Sequence, residues 1–248
     1  MVVKNCSDTG VGAREGNVSA QPLDGAAPGE ENEGLRSRAK RRRRQRINEA
    51  AAKLLLDKTF DEITTKEVAA EAGIGEATLF RYIRSKQELL TIVYGDQLDR
   101  VLNRIESDDA RTVADSIGHA LSSRHFIDRV LGAYHTRCDF YLLNPTNAAR
   151  YLREGFDIGT PESARHIAQG DRTIRLVTAI LRDGQDRGLL TRAVDAYVVA
   201  QNCHGTYMHE IDRTPVRGFE PTRIWDRLET RLRVQLDPLA IDIDRGLD

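Results

Sequence analysis

From residue 43 onward, apolar residues recur at helical spacing along nearly the whole chain. Ile47, Ala51, Leu54 and Leu55 form an i, i+4, i+7, i+8 stripe that predicts a helix over 43–57, with Phe60 and Ile63 closing its small core. Thr64-Thr65-Lys66-Glu67 has the form of a capping box, in which the first threonine and the glutamate satisfy free backbone N–H groups at a helix start. Val68, Ala69 and Ala72 continue as one apolar face, and Gly73 follows where a left-handed backbone costs a glycine nothing. Ile74 plugs the corner. A second short helix begins at Gly75 or Glu76, with Leu79 and Ile83 inward and Glu76, Ala77, Thr78, Arg81 and Tyr82 outward.

Ser85-Lys86-Gln87-Glu88 repeats the capping-box pattern and opens a long helix with Leu90, Tyr94, Leu98, Val101 or Leu102, and Ile105 inward, ending near 107–109. Val113, Ile117 and Leu121 suggest a short helix after it. A longer one is expected over 123–143, with Phe126, Val130, Tyr134, Cys138 and Tyr141 or Leu142 inward, stopped by Asn144-Pro145. A short helix over 146–154 precedes Thr160-Pro161-Glu162, where the proline suits a first helical position. That helix carries Ile167, Ile174, Val177 and Leu181 and ends near Gly188. The last two helices are expected over 194–212, with Val198, Val199, Cys203 and Tyr207, and over 221–236, with Ile224 or Trp225, Leu228, Leu232 and Leu236.

Composition agrees with an all-α class: aromatics are 6% of 248 residues, charged residues are 30%, and β-type alternation is hard to find. The formal net charge is −1, but it is unevenly spread. Residues 1–34 carry a net −4, residues 35–86 a net +7, and the remainder −4. Positive charge thus gathers around the two short helices, as binding to a polyanion requires. No apolar run reaches the roughly 20 residues of a membrane span, and no secretory signal is apparent, so a cytoplasmic protein is expected. Cys6, Cys138 and Cys203 are scattered and odd in number, which argues against a disulfide framework or a zinc site.

The capped helix, glycine turn and two-sided second helix make a helix-turn-helix, although an ordinary αα-hairpin shares that outline. The run ITTKEVAAEAGIGEATLFRYIRSK over 63–86, read as TT-x-x-VA-x-x-AGIG-x-AT-L-F-R-Y-I-x-SK, resembles the signature of the TetR family of bacterial transcriptional regulators. That resemblance implies an N-terminal three-helix DNA-binding unit and a C-terminal helical domain for ligand binding and dimerisation. The expected organisation is a disordered extension with a basic arm over 1–42, the DNA-binding unit over 43–85, the helical body over 86–237 and a loose tail over 238–248. Family roles then fall on Thr65 and Lys66 at the start of the first reading helix, and on Thr78, Tyr82 and Lys86 for phosphate. Glu76, Ala77 and Arg81 are placed for base edges, where arginine can pair with guanine and glutamate can accept from cytosine. Phe80 replaces the tyrosine usual in the family; its ring can meet a thymine methyl, but a phenolic hydrogen bond is lost. Arg41, Arg42, Arg43 and Arg44, within a basic run spanning 36–46, are suited to phosphates or a minor groove.

A homodimer on a palindromic duplex is implied as well, since one such unit contacts too few base pairs for selection. Val198, Tyr207, Trp225, Leu228, Leu232 and Leu236 are the expected dimer positions. A small, largely apolar effector is expected among Tyr134, Cys138, Tyr141, Tyr151, Phe156, His166, Gln169, Asn202 and Tyr207, acting through its different affinities for two states. Each of those residues could equally be ordinary core. His204 and His209 lie five apart, and His209-Glu210 lacks the second histidine of a zinc helix, so no metal or other cofactor is expected. No nucleophile elbow, phosphate loop or dinucleotide fingerprint points to an enzyme. The rival reading is a TetR-like DNA-binding protein without a small-molecule inducer, one that organises DNA or answers to a protein.

Overall fold

In the computed structural model, the described residues are 28–154 and 161–241. They are helical apart from turns and one isolated β-bridge between Leu190 and Ala240. The chain divides into two units between Arg41 and Arg42. The first contributes the N-terminal part of helix α1 (Pro28–Asp57). The predicted start near residue 43 is therefore too late. Pro28 suits a first helical position, and the Glu- and Arg-rich run after it is mostly good helix formers, although Gly29 and Gly34 interrupt it.

The second unit opens with the rest of α1 and then α2 (Thr65–Glu71) and α3 (Glu76–Leu79). Thr64 caps α2 in both directions: the Glu67 N–H donates to Thr64 Oγ1 at 3.1 Å, and the Thr64 N–H donates to Glu67 Oε2 at 2.8 Å. Gly73 has a φ of 65°, a conformation that side chains resist. α3 is a single turn, but the Arg81, Tyr82 and Ile83 N–H groups still donate to Thr78 and Leu79 carbonyls. Ile47, Ala51, Leu55, Phe60, Ile63, Val68, Ala69, Leu79 and Ile83 are all buried behind these helices.

α4 (Lys86–Asp115) is longer than its pattern suggests and absorbs the start of the expected short helix around Val113. Residues 116–122 form no helix, and Ile117 is 76% exposed, so that row has nothing to pack on. At its start the Glu88 N–H donates to Ser85 Oγ, while the Glu88 carboxylate takes the Arg84 N–H at 2.6 Å. The body continues with α5 (Ser123–Leu143), α6 (Pro145–Glu154), α7 (Pro161–Asp186), α8 (Ala196–Val216) and α9 (Ile224–Leu236). α7 packs chiefly on α8, α4 on α5 and α7, and α9 on α8. The core takes Tyr141 rather than Leu142 and Ile224 rather than Trp225, which is only partly buried. Ile167, expected inside, is exposed.

Beyond α9 the chain is tied back: the Thr191 N–H donates to the Leu239 carbonyl at 2.8 Å and the Ile241 N–H to the Leu189 carbonyl at 3.1 Å. The stretch 238–241 is thus pinned where a loose tail was expected. Among the described residues no helix is long and apolar enough to cross a membrane.

Candidate nucleic-acid interface and effector region

The capped α2 and the glycine turn set α3 so that Leu79 and Ile83 enter the core while Glu76, Ala77, Phe80 and Arg81 stay outside. Phe80 is 51% exposed, an apolar ring held in water on the same side as Arg81. Lys66 is exposed at the N-terminal turn of α2, and Thr65 and Thr78 are half-buried. The Thr65 hydroxyl donates to Glu76 Oε1, which ties the two short helices together and gives Glu76 a structural task besides any contact with a base. Tyr82 is half-buried, and its hydroxyl accepts from Arg43 Nη1 at 3.4 Å. Lys86 lies 4.4 Å from the centroid of the Phe60 ring, and Arg150 of α6 lies 4.2 Å from the same centroid. Arg42 and Arg44 are exposed, and no carboxylate of the described residues engages them, Lys66 or Arg81. Arg41, at the end of the first unit, is also exposed.

Besides Arg150, which also bonds Asp61 at 2.6 Å, α6 meets this unit through a buried amide. Asn147 Nδ2 donates to the Leu55 carbonyl at 3.0 Å and the Lys58 carbonyl at 2.9 Å, and its Oδ1 accepts from the Phe60 N–H at 2.7 Å. The Tyr94 hydroxyl of α4 also donates to the Leu55 carbonyl, at 3.4 Å. These contacts satisfy the C-terminal carbonyls of α1, which lack intrahelical partners. Further along, α4 is zipped to α7. Arg165 Nη2 donates to Asp96 and Asp99, and Arg172 bonds Glu106 at 2.6 Å and Asn103 at 2.8 Å. Gly95 lies directly beneath Arg165: a Cβ there would sit 2.8 Å from the guanidinium, which would have to shift.

Inside the body, Tyr134, Cys138, Tyr141, Tyr151, Gln169 and Tyr207 are buried on α5, α6, α7 and α8, with His166 half-buried among them. Tyr151 donates to Gln169 Oε1 at 2.6 Å and meets His166 edge-on at 5.6 Å. Gln169 in turn donates to the Gly95 carbonyl and to Asp99. Burial pushes both the Cys138 and Cys203 thiols up to about 12, which keeps them protonated and inert. Phe156 lies outside the described residues. Asn202 does not join this group. Cys203 and Tyr207 define the inward row of α8, and Asn202, one residue off it, is exposed in an open groove with Gly205, His209 and Arg231.

Sequence reasoning missed Arg137, Thr173 and His204, which all enter the buried group. The signal was present, because Arg137 falls at i+3 between Tyr134 and Cys138 on the inward row of α5. Among the expected dimer positions, Tyr207, Leu228, Leu232 and Leu236 are fully buried within a single chain. They fill their own core, which corrects their assignment to a surface; Val198 remains exposed and Trp225 partly so, edge-on to His135 at 4.7 Å. No three His, Cys, Asp or Glu side chains among the described residues are grouped to hold a metal.

Residues 47–92 match the family model described as bacterial regulatory proteins, tetR family. The chain is 37% identical over 67 residues to the uncharacterized HTH-type transcriptional regulator YvkB of Bacillus subtilis, an alignment covering 26% of this chain and only 35% of that relative. It is 20% identical over 169 residues to the fatty acid metabolism regulator protein of the same organism, covering 67% of this chain and 80% of that one. Thermus thermophilus FadR in complex with lauroyl-CoA superposes with a TM-score of 0.58 at 19% identity, over 83% of this chain and 99% of that one. Bacillus subtilis FadR in complex with stearoyl-CoA also gives 0.58, at 12% identity, over 77% and 97%. At such identities the likeness speaks for the fold. The matched segment spans the surface of α2 and α3, so it is residues 47–92 that are similar to the bacterial regulatory proteins of the tetR family.

Proposed function

We propose that the protein is a cytoplasmic homodimeric repressor, released from a palindromic operator by a small, largely apolar effector. The observation that carries the DNA half is the surface of α2 and α3, where Lys66, Ala77, Phe80 and Arg81 project from a fully packed back. In this reading residues 43–85 are the reading head, 86–237 the effector-binding and dimerising body, and Arg41 to Arg44 add phosphate contacts.

Dimerisation is assigned to the outer face of α8 and α9. Val198, Gly205 and Val234 lie exposed there, and Gly205 has nothing within reach of an added Cβ, so a second helix can approach closely. Effector control is favoured over the inducer-free alternative by the polar groups buried between α5, α7 and α8, which a purely structural core would not need. The likeness to the two FadR proteins supports an acyl-bearing molecule as the effector class. α4 and α6 are the mechanical links in this scheme, since both touch the C-terminal end of α1 while α4 is also bound to α7.

Selection of bound sequences from random duplexes tests the reading. A palindromic consensus with two half-sites is expected, and retention of no duplex at low salt would overturn it.

A further inference from the structure

α5 carries a cation into the middle of the body. Arg137 is 1% exposed. Its Nη1 donates to Thr173 Oγ1 at 2.6 Å, its guanidinium lies 4.6 Å from the Tyr207 ring centroid, and its Nε has no acceptor among the described residues. No carboxylate of the described residues pairs with it, and the buried acid Glu210 is already held by Arg227 and Arg231. A guanidinium cannot escape by losing its proton, so an unpaired one in the interior is a costly arrangement.

The groups around it are donors in waiting. Tyr134 is fully buried, and its hydroxyl has no partner among the described residues. Its ring is 5.9 Å from that of Tyr207, against which His204 stacks at 6.2 Å with Nδ1 also unpartnered. Burial, and then the neighbouring Arg137, hold His204 down to about 3 and His166 down to about 4. Both imidazoles are therefore neutral, and the cluster carries the single charge of Arg137.

We propose that the effector is an apolar molecule ending in one carboxylate, which Arg137 binds inside the body with Thr173, Tyr134 and His204 alongside. This rests on the effector-controlled reading above and sharpens it. A planar guanidinium matches a carboxylate in geometry, and one positive charge in a low-dielectric surround balances one negative charge. A coenzyme A thioester has no free carboxylate at its acyl end and carries its negative charge on several phosphates. The cluster thus selects the free acid over the thioester.

Titration calorimetry with dodecanoate, methyl dodecanoate and dodecanoyl-CoA separates the possibilities, using full-length wild type, Arg137→Met and Thr173→Val. Wild type should bind dodecanoate at least tenfold tighter than either other compound. Arg137→Met should abolish that preference, and Thr173→Val should reduce it. Ligand-free Arg137→Met should also melt no lower than wild type, because it removes a buried charge without a partner; a purely structural arginine would give a lower melting temperature. Equal affinity for dodecanoate and its methyl ester, or binding by none of the three, overturns the proposal. Tight dodecanoyl-CoA binding that survives Arg137→Met overturns it too, yet leaves effector control intact.

Discussion

Asn147 Oδ1 accepts the Phe60 N–H at 2.7 Å across 87 residues of chain, joining α6 of the body to the loop that follows α1. With the two carbonyls that Asn147 Nδ2 also binds, this amide is the most buried part of a polar seam between the body and the reading head that Tyr94 and Arg150 share. Asn147→Ala would leave the Phe60 N–H and the Lys58 carbonyl unpaired, while Tyr94 still serves the Leu55 carbonyl. Unfolding in urea should show a loss of about 2–4 kcal/mol, since each orphaned group costs on the order of 1–3 kcal/mol. A loss under about 0.5 kcal/mol would mean that the seam contributes nothing.

Arg81 is exposed beside Phe80 on the outer side of α3 and has no partner among the described residues. Arg81→Ala is expected to weaken binding to a selected duplex by about 1–3 kcal/mol and to relax preference at one base position. Fluorescence anisotropy on a panel of single-base variants reads this directly. A uniform loss across the panel would reassign Arg81 to the phosphates.

Replacing Arg41, Arg42, Arg43 and Arg44 with glutamine should flatten the dependence of log K on log salt. For B-DNA each phosphate contact adds about 0.9 to the slope, so the change should be as large as about 3–4 if all four engage. An unchanged slope would make the run a solvated charge cluster.

Val234 is 73% exposed on the outer face of α9 and supports little within its own chain. Val234→Asp should therefore leave the melting temperature of the fold within a few degrees while producing monomers in light scattering at micromolar concentration. A dimer that persists unchanged would move the interface elsewhere.

His204 and His166, held down to about 3 and about 4 mainly by burial, make the fold acid-sensitive in a definite window. Below pH 6.5 the unfolded chain takes up protons on these imidazoles, and the folded chain refuses them until pH 4 or lower. Stability is complete above about pH 6.5 and falls as pH drops towards 4, by about 1.4 kcal/mol per pH unit for each histidine at mid-window. Glu67, drawn down to about 2 chiefly by its bond with Lys58, adds its own loss of stability only as pH falls through about 4.5 and below, at the acid end of this window. Urea titrations at pH 7 and pH 5 check this, and His204→Gln should halve the difference. Equal stability at both values would mean that the imidazoles are hydrated.

The one-dimensional pattern determined the reading head almost completely. The Thr64 box, the left-handed Gly73 and the inward pair Leu79 and Ile83 are set by contacts within a few residues, so periodicity and capping chemistry suffice. It also determined most of the inward rows of the body helices, as Tyr134, Cys138 and Tyr207 illustrate, although Ile167 and Val198 lie outside. Tertiary structure alone decided what covers each row. Leu228, Leu232 and Leu236 meet their own chain, not a second copy, because an apolar stripe records that it must be buried without recording against what. Asn202 and Arg137 went opposite ways for a related reason. Both are polar residues near an inward row of an amphipathic helix, and only three-dimensional packing put the amide in water and the guanidinium in the core.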